Sequence, residues 1–185
     1  TSEYATDEPY INGVQSPYGD PAPDPEVASS RVQNVIFYLR TLKAPVQRNK
    51  NNADVIAGKQ TFVTIGCEKC HKAEWTTGKS DIEALSYKTF YPYTDLLLHD
   101  MGAGLNDGYT EGKALTSEWK TPPLWGLGLS KNSQGGKYYL MHDGRATSIE
   151  QAIQLHGGEA QNSNNAFQAL SQNEKDNLIK FLESL

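Results

Sequence analysis

The chain has 185 residues, a formal charge of −5, 37% hydrophobic residues, 16 glycines and 9 prolines, which suits one domain with an appendage rather than two full domains. Its acidic balance offers no basic face to displace phosphate counterions, which argues against nucleic acid as a partner. No apolar run approaches the ~20 residues that cross a bilayer, so no transmembrane segment is expected.

Thr1–Asp20 is polar, lacks a signal-peptide pattern, and reads as a mature or trimmed start. Pro17, Pro21 and Pro23 make residues 1–23 an extended arm. Asp24-Pro25 supplies a helix cap followed by proline at the first helical position. Val32, Val35, Ile36, Leu39 and Leu42 then recur at helical spacing, so a helix is expected over 25–42, ended by Pro45. Gln47–Ala53 is polar and Asn-rich and reads as a linker. Residues 1–53 are thus expected to form an arm and linker helix, and 54–185 the main domain. Asp54 can cap a second helix over about 55–65, which contains Gly58 and Phe62 and stops at Gly66.

From 67 to 146 helical signals are few, and Gly, Pro, Tyr and Trp are frequent. A long irregular stretch in a compact domain needs a functional reason, and loops that wrap a prosthetic group provide one. Ser148 or Thr147 can cap a short helix running to His156, which Gly157-Gly158 stops. Ser171-Gln172-Asn173-Glu174 is a capping box, and Leu178, Ile179, Leu182 and Leu185 form the stripe of a terminal helix.

The two cysteines stand as Cys67-Glu68-Lys69-Cys70 with His71 immediately after. This is the pattern for covalent haem attachment. One turn of chain brings both thiols to the vinyl groups on one side of a porphyrin and aims His71 at the iron. A zinc site would want four ligands at paired spacing, and the chain has no second pair. A thioredoxin-like dithiol would follow a strand in a βαβ unit, whereas the preceding segment reads as helix. A disulfide across two residues would leave His71 without a role. Gly58 and Phe62 fit the same picture. In cytochrome c-like domains an N-terminal helix crosses the C-terminal one closely, and Phe62 could there meet Phe181 or Leu182. The expected fold is mostly α, a cytochrome c-like helical domain with long loops around one covalent haem c.

Several runs carry a family resemblance: Phe62–His71, Tyr93–Gly102, Trp119–Gly128, His142–Arg145, Ser148–Ala160 and the closing Leu-Ser-x-x-Glu…Phe-Leu-Glu-Ser-Leu. From about residue 24 onward the chain resembles the C-terminal half of the di-haem oxidoreductase-like proteins. These are sometimes labelled thiol oxidoreductases and are related to di-haem cytochrome c peroxidases and the tryptophylquinone-forming di-haem enzyme. Members usually carry a preceding domain, and the enzymes use a second haem there. This chain has a single attachment motif. It is expected to be either the C-terminal part of a longer protein or a one-haem descendant, and the arm and helix at 1–42 favour a part.

Haem iron takes a sixth ligand from His, Met, Cys or Tyr. His99, His142, His156, Met101 and Met141 are the candidates. Ile149, Ala152, Ile153 and His156 fall at i, i+3, i+4 and i+7, so His156 completes an apolar helical stripe. The resemblance implies the same choice, because the related peroxidases place a methionine ligand of their C-terminal haem at the matching position. Met101 and Met141 stay open as alternatives, and His99 and His142 read as turn histidines beside Asp. Arg145 and Lys120 are candidates to neutralise propionates, and Trp125 and Trp119 to pack on the porphyrin. With both axial positions filled the expected function is electron transfer, either alone or feeding a catalytic haem in a larger peroxidase-like enzyme. No catalytic residue is assigned. The partner is a redox protein or a preceding haem domain, and the expected compartment is the bacterial periplasm, since covalent haem and an isolated Cys pair imply a site outside the cytoplasm.

Overall fold

The structure, a computed structural model, describes residues 27–110 and 112–185. The chain divides into two compact units, 1–43 and 44–185. The expected arm at 1–23 and the Asp24-Pro25 cap lie outside the described residues. In the first unit, helix α1 spans Ser29–Thr41, and the Thr41 hydroxyl donates back to the Phe37 or Tyr38 carbonyl at its end.

The second unit begins with the segment read as a linker. It is tied down: the Arg48 amide donates to the Ser184 carbonyl at 2.8 Å, its guanidinium donates to the Glu183 carbonyl, and Gln47 donates to the Ser184 hydroxyl. Helix α2 follows at Ala53–Thr64. Its cap is Asn52, whose side chain accepts from the amides of Asp54 and Val55. Asp54, expected as the cap, instead lies in the first turn and pairs with Lys180 at 2.7 Å. The correction has a simple cause: Asn52 is already extended (ψ 134°) and one residue outside the helix, where a cap must be.

The stretch 67–146 is not featureless. Strand β1 (Trp75–Thr76) pairs antiparallel with β2 (Thr89–Phe90), and β3 (Leu98–Asp100) with β4 (Glu118–Lys120). A helix that the sequence did not announce, α3, covers Leu127–Ser133. Indole N–H groups fasten the loops, Trp75 donating to the Thr94 carbonyl and Trp119 to the Leu105 carbonyl. Buried Thr94 donates to the Thr121 carbonyl. Helix α4 is Ile149–Gln154, capped by Ser148 through the Gln151 amide. Helix α5, Gln161–Gln168, was also unannounced. Helix α6, Gln172–Ser184, opens with the expected capping box and buries Leu178 and Leu182. The regular structure of the described residues is thus predominantly helical, with short strands, and no helix among them is long and apolar enough to cross a membrane.

The core forms where α2 crosses α6. A Cβ on Gly58 would run into the Asn177 carbonyl oxygen and sit 2.8 Å from the Phe181 Cβ. Backbone contact this close admits only glycine. It also lets Phe62 meet Phe181 edge-on, ring centroids 5.3 Å apart, with Tyr93 against both. Gly58→Ala should therefore destabilise the protein by about 3 kcal/mol or more, read as a fall in the denaturation midpoint. Gly78→Ala, with nothing near the added carbon, should leave the midpoint almost unchanged. Equal effects from the two would show that the crossing is not the constraint.

Candidate functional site

The site grows from the end of α2. Gly66 adopts φ 86°, which turns the chain out of the helix and into a 3₁₀ turn at Cys67–Lys69. The His71 amide donates to the Cys67 carbonyl at 3.0 Å, closing the segment from Cys67 to His71 on itself. Two bonds from the 93–95 loop fix its far side: the Thr94 amide to the Lys72 carbonyl and the Asp95 amide to the Cys70 carbonyl, both 2.9 Å. Cys67 and Cys70 are free thiols. Burial pushes the Cys67 thiol up to about 12. Burial raises Cys70 as well, reinforced by the carboxylates of Asp95 and Glu159. Neither has the depressed pKa of an attacking thiol in a redox dithiol.

His71 Nδ1 lies 3.0 Å from the Tyr93 carbonyl oxygen. A carbonyl can only accept, so Nδ1 carries the proton and Nε2 keeps its lone pair. Burial holds the ring neutral, pushing its pKa down to about 4 against the pull of the Tyr93 bond. Tyr93 itself is buried and has φ 55°, a left-handed backbone that a bulky residue adopts only when its surroundings impose it. The Phe62–Phe181 cluster is that surrounding.

His156 repeats the arrangement. It stands just past α4, where its Nδ1 lies 2.7 Å from the Ala152 carbonyl. The ring thus shares with the Leu155 amide a carbonyl at the helix end, and its Nε2 is left as the free nitrogen. Burial again lowers its pKa. The two rings sit with centroids 6.5 Å apart, tilted by 47°. The turn after His156 is fixed from two sides. Buried Asn164 of α5 donates to the carbonyls of both His156 and Gln154 at 2.8 Å. On the other side the backbone of 100–102 presses so closely that a Cβ on Gly158 would strike the Asp100 carbonyl.

The other sequence candidates are engaged as follows. His99 is bonded at both nitrogens, to Asp95 and Glu159. His142 stacks on Trp119, centroids 3.7 Å apart. Met101 lies beside the Gly157 turn, its amide bonded to the Ser117 carbonyl, and Met141 occupies a left-handed turn position (φ 69°). Arg145 donates to Asp143 at 2.6 Å and to the Gly104 carbonyl at 2.9 Å, so it braces its own turn against a distant loop. Lys120 is exposed on β4. Trp125 lines a cavity of about 300 Å³ together with Trp75, Phe90, Pro92, Leu96 and Pro123. Thr94 and Asp95, whose amides donate to the Lys72 and Cys70 carbonyls, form part of the same wall. The residues that sequence reasoning missed are Tyr93, Asp95, Asn164 and Glu159. Of these only Asp95 had a local trace, standing four residues before His99.

Residues 4–185 match the sequence profile of the family described as "Di-haem oxidoreductase, putative peroxidase". The chain belongs to the di-haem oxidoreductase family. The match begins at residue 4, upstream of the expected resemblance, which started at about residue 24 and already included α1. Among solved structures, a chain of Kuenenia stuttgartiensis hydrazine synthase pressurised with 20 bar xenon is similar at 19% identity and a TM-score of 0.49. The similarity covers 85% of this chain and 56% of that one. A search of curated proteins found no match.

The thiol chemistry of this di-haem oxidoreductase chain is directly testable. In haem-free folded protein both cysteines should react with iodoacetamide at pH 7 slower than an unfolded cysteine by on the order of tenfold or more, Cys67 slower than Cys70. Mass spectrometry of timed quenches measures this. Fast alkylation of either thiol would restore the dithiol reading.

Proposed function

We propose that this chain is a cytochrome c-like domain that carries one haem c, attached through Cys67 and Cys70 and ligated by His71 and His156, and that it relays single electrons. The observation that carries the reading is the histidine pair. Both rings are half-buried and held neutral, both have Nδ1 engaged by a backbone carbonyl, and both keep Nε2 free. Metal-binding histidines are fixed in this way, the outer hydrogen bond setting tautomer and orientation. The spacing fits as well. Two metal–imidazole bonds of about 2 Å on opposite sides of one ion, with the ring radii added, put centroids about 6 Å apart, against 6.5 Å here. The cysteines fit thioether attachment in their placement one turn apart, in their sequence next to His71, and in being free thiols.

When bound there, the haem would supply a one-electron couple. The protein's residues do the rest. The Tyr93 and Ala152 carbonyls hold two imidazoles at fixed angles, and the Phe62–Tyr93–Phe181 cluster keeps water from the His71 side. Were His71 and His156 both to hold the iron, they would leave peroxide no place to bind it, which favours relay over turnover within this domain. Membership of a di-haem family supports a further role, the delivery of electrons to a haem in a preceding domain. Covalent attachment supports a compartment outside the cytoplasm, most simply the periplasm.

Expression with a cytochrome c maturation system, followed by denaturing electrophoresis with haem staining, tests the attachment. One covalent haem is expected, and none when Cys67 and Cys70 are both changed to alanine. Haem that extracts into acidified solvent from the unmutated protein would refute the reading. The ligand assignment has its own test in the ferric absorption and EPR spectra. His156→Ala should convert low spin to high spin and open a site for cyanide, azide or peroxide. His156→Met should stay six-coordinate at a raised potential. Met101→Leu and Met141→Leu should change neither spin state nor potential class, and a methionine–iron charge-transfer band in the unmutated protein would overturn the choice of His156.

A further inference from the structure

His99 sits at the centre of a charged cluster that the haem reading does not use. Its Nε2 is 2.8 Å from Asp95 Oδ2 and its Nδ1 2.9 Å from Glu159 Oε2. Ionised carboxylates only accept, and a neutral imidazole donates from one nitrogen alone, so both bonds exist together only when the ring is protonated. The charged groups that act on it are these two carboxylates. Asp100 is its chain neighbour, and the Asp100 amide donates to Glu159 Oε1. Across the ladder, β4 sets Glu118 opposite Asp100 and Lys120 opposite Leu98. The His99 and Asp95 side chains are only 16% and 12% exposed, so their attraction is partly shielded from water. The Glu159 bond, followed by the Asp95 bond, raises the pKa of His99 above the usual 6.5 against the effect of burial.

The cluster also touches the attachment segment. A ligand atom of His99, a carboxylate oxygen of Asp95 and the Cys70 sulfur all lie within 4.8 Å of one another. That trio offers no free imidazole lone pair to a metal ion, because carboxylates occupy both ring nitrogens. Cys70 is, however, the residue through which the porphyrin edge would be attached. A histidine that gains or loses a charge therefore stands within a few ångströms of the sulfur that anchors the redox centre.

We propose that His99 is a redox-linked proton site, taking up a proton when an electron enters the haem attached at Cys70 and releasing it when the electron leaves. The inference rests on the haem reading above. In the reducing direction, one electron arrives from a one-electron donor protein and lowers the charge of the iron centre by one. One proton arrives from solvent and forms an N–H bond on the His99 ring, and no covalent bond breaks. Added negative charge nearby favours histidinium, so the proton affinity of His99 is higher in the reduced protein. By reciprocity the midpoint potential falls as pH rises between the two His99 pKa values and is flat on either side. At an effective dielectric of about 20 the change in proton affinity is on the order of tenfold, which for a one-electron couple corresponds to about 59 mV.

The test is a potentiometric titration of the haem-loaded protein, followed by absorbance from about pH 5.5 to about pH 9.5, the range that brackets a raised histidine. The unmutated protein should show one downward step of about that size. His99→Gln should remove the step and hold the lower potential throughout, because no proton can be taken up. His99→Lys should also remove it, but hold the higher potential, because its charge stays on. A flat curve for the unmutated protein, or the same step in His99→Gln, would overturn the assignment. Should the variants fail to fold, NMR titration of His99 in the oxidised and reduced unmutated protein decides, and equal pKa values overturn it. Haem staining before the titration separates the two proposals. A chain without covalent haem removes both, whereas a covalent low-spin haem with a pH-independent potential removes only this one.

Discussion

One contact organises the domain: the backbone of α2 at Gly58 against the backbone of α6 at Asn177. Because no side chain separates the helices there, the residues one turn on meet directly, and Phe62, Phe181 and Tyr93 form a buried aromatic cluster. The cluster holds Tyr93 in a left-handed conformation that it would otherwise avoid. That conformation aims the Tyr93 carbonyl at His71 and selects the tautomer with Nε2 free. A packing constraint thus becomes a chemical one in three steps. The same α2 ends at Gly66 and delivers Cys67, so a single helix sets the position of the thiols and, through the crossing, the state of the imidazole.

Much of this frame is legible in the sequence because its signals are local. The capping box at Ser171–Glu174, the Ser148 cap and the stripe of Leu178 and Leu182 are short-range patterns, and each stands where the sequence put it. Gly58 was readable for a similar reason, since a glycine four residues before an aromatic inside a helix asks for a close neighbour. The Asp54 cap failed on a choice between two adequate residues, Asn52 and Asp54, that only backbone geometry decides. Helices α3 and α5 were invisible because Leu-Gly-Leu-Ser-Lys-Asn-Ser and Gln-Asn-Ser-Asn-Asn-Ala-Phe-Gln lack both apolar periodicity and strong helix formers. They form because Gly128 lets α3 approach the Glu183 carbonyl and because Phe167 and Asn164 are buried.

At the site, legibility divides along the same line. Cys67, Cys70 and His71 are contiguous and announce themselves, and His156 completes a periodic stripe. The groups that tune them come from far along the chain: Tyr93 is 22 residues from His71, and Glu159 is 60 from His99. No sequence window spans such pairs, so His99 reads as a turn histidine when it is in fact the bridge between two carboxylates. Arg145 shows the converse. Its position beside a His-Asp-Gly turn suggested a charge free for a ligand, but Asp143 and the Gly104 carbonyl engage it.

The electrostatics of the site separate two chemistries that share the Cys-x-x-Cys pattern. A dithiol that exchanges needs at least one thiolate near neutral pH, usually supplied by a helix N-terminus or a neighbouring cation. Here burial dominates both thiols, and the charges nearest Cys70 include the carboxylates of Asp95 and Glu159. Those carboxylates would oppose a thiolate at every step of an exchange cycle. They do not oppose a thioether, which carries no charge. Their presence becomes a cost only if nothing balances them, and a protonated His99 between them is that balance. The same acidic pair that disfavours thiol exchange thus creates, beside Cys70, a histidine whose charge is worth keeping. A redox centre anchored at that sulfur would feel the charge in each oxidation state, and electron and proton would then be coupled through one side chain rather than through the ligands themselves.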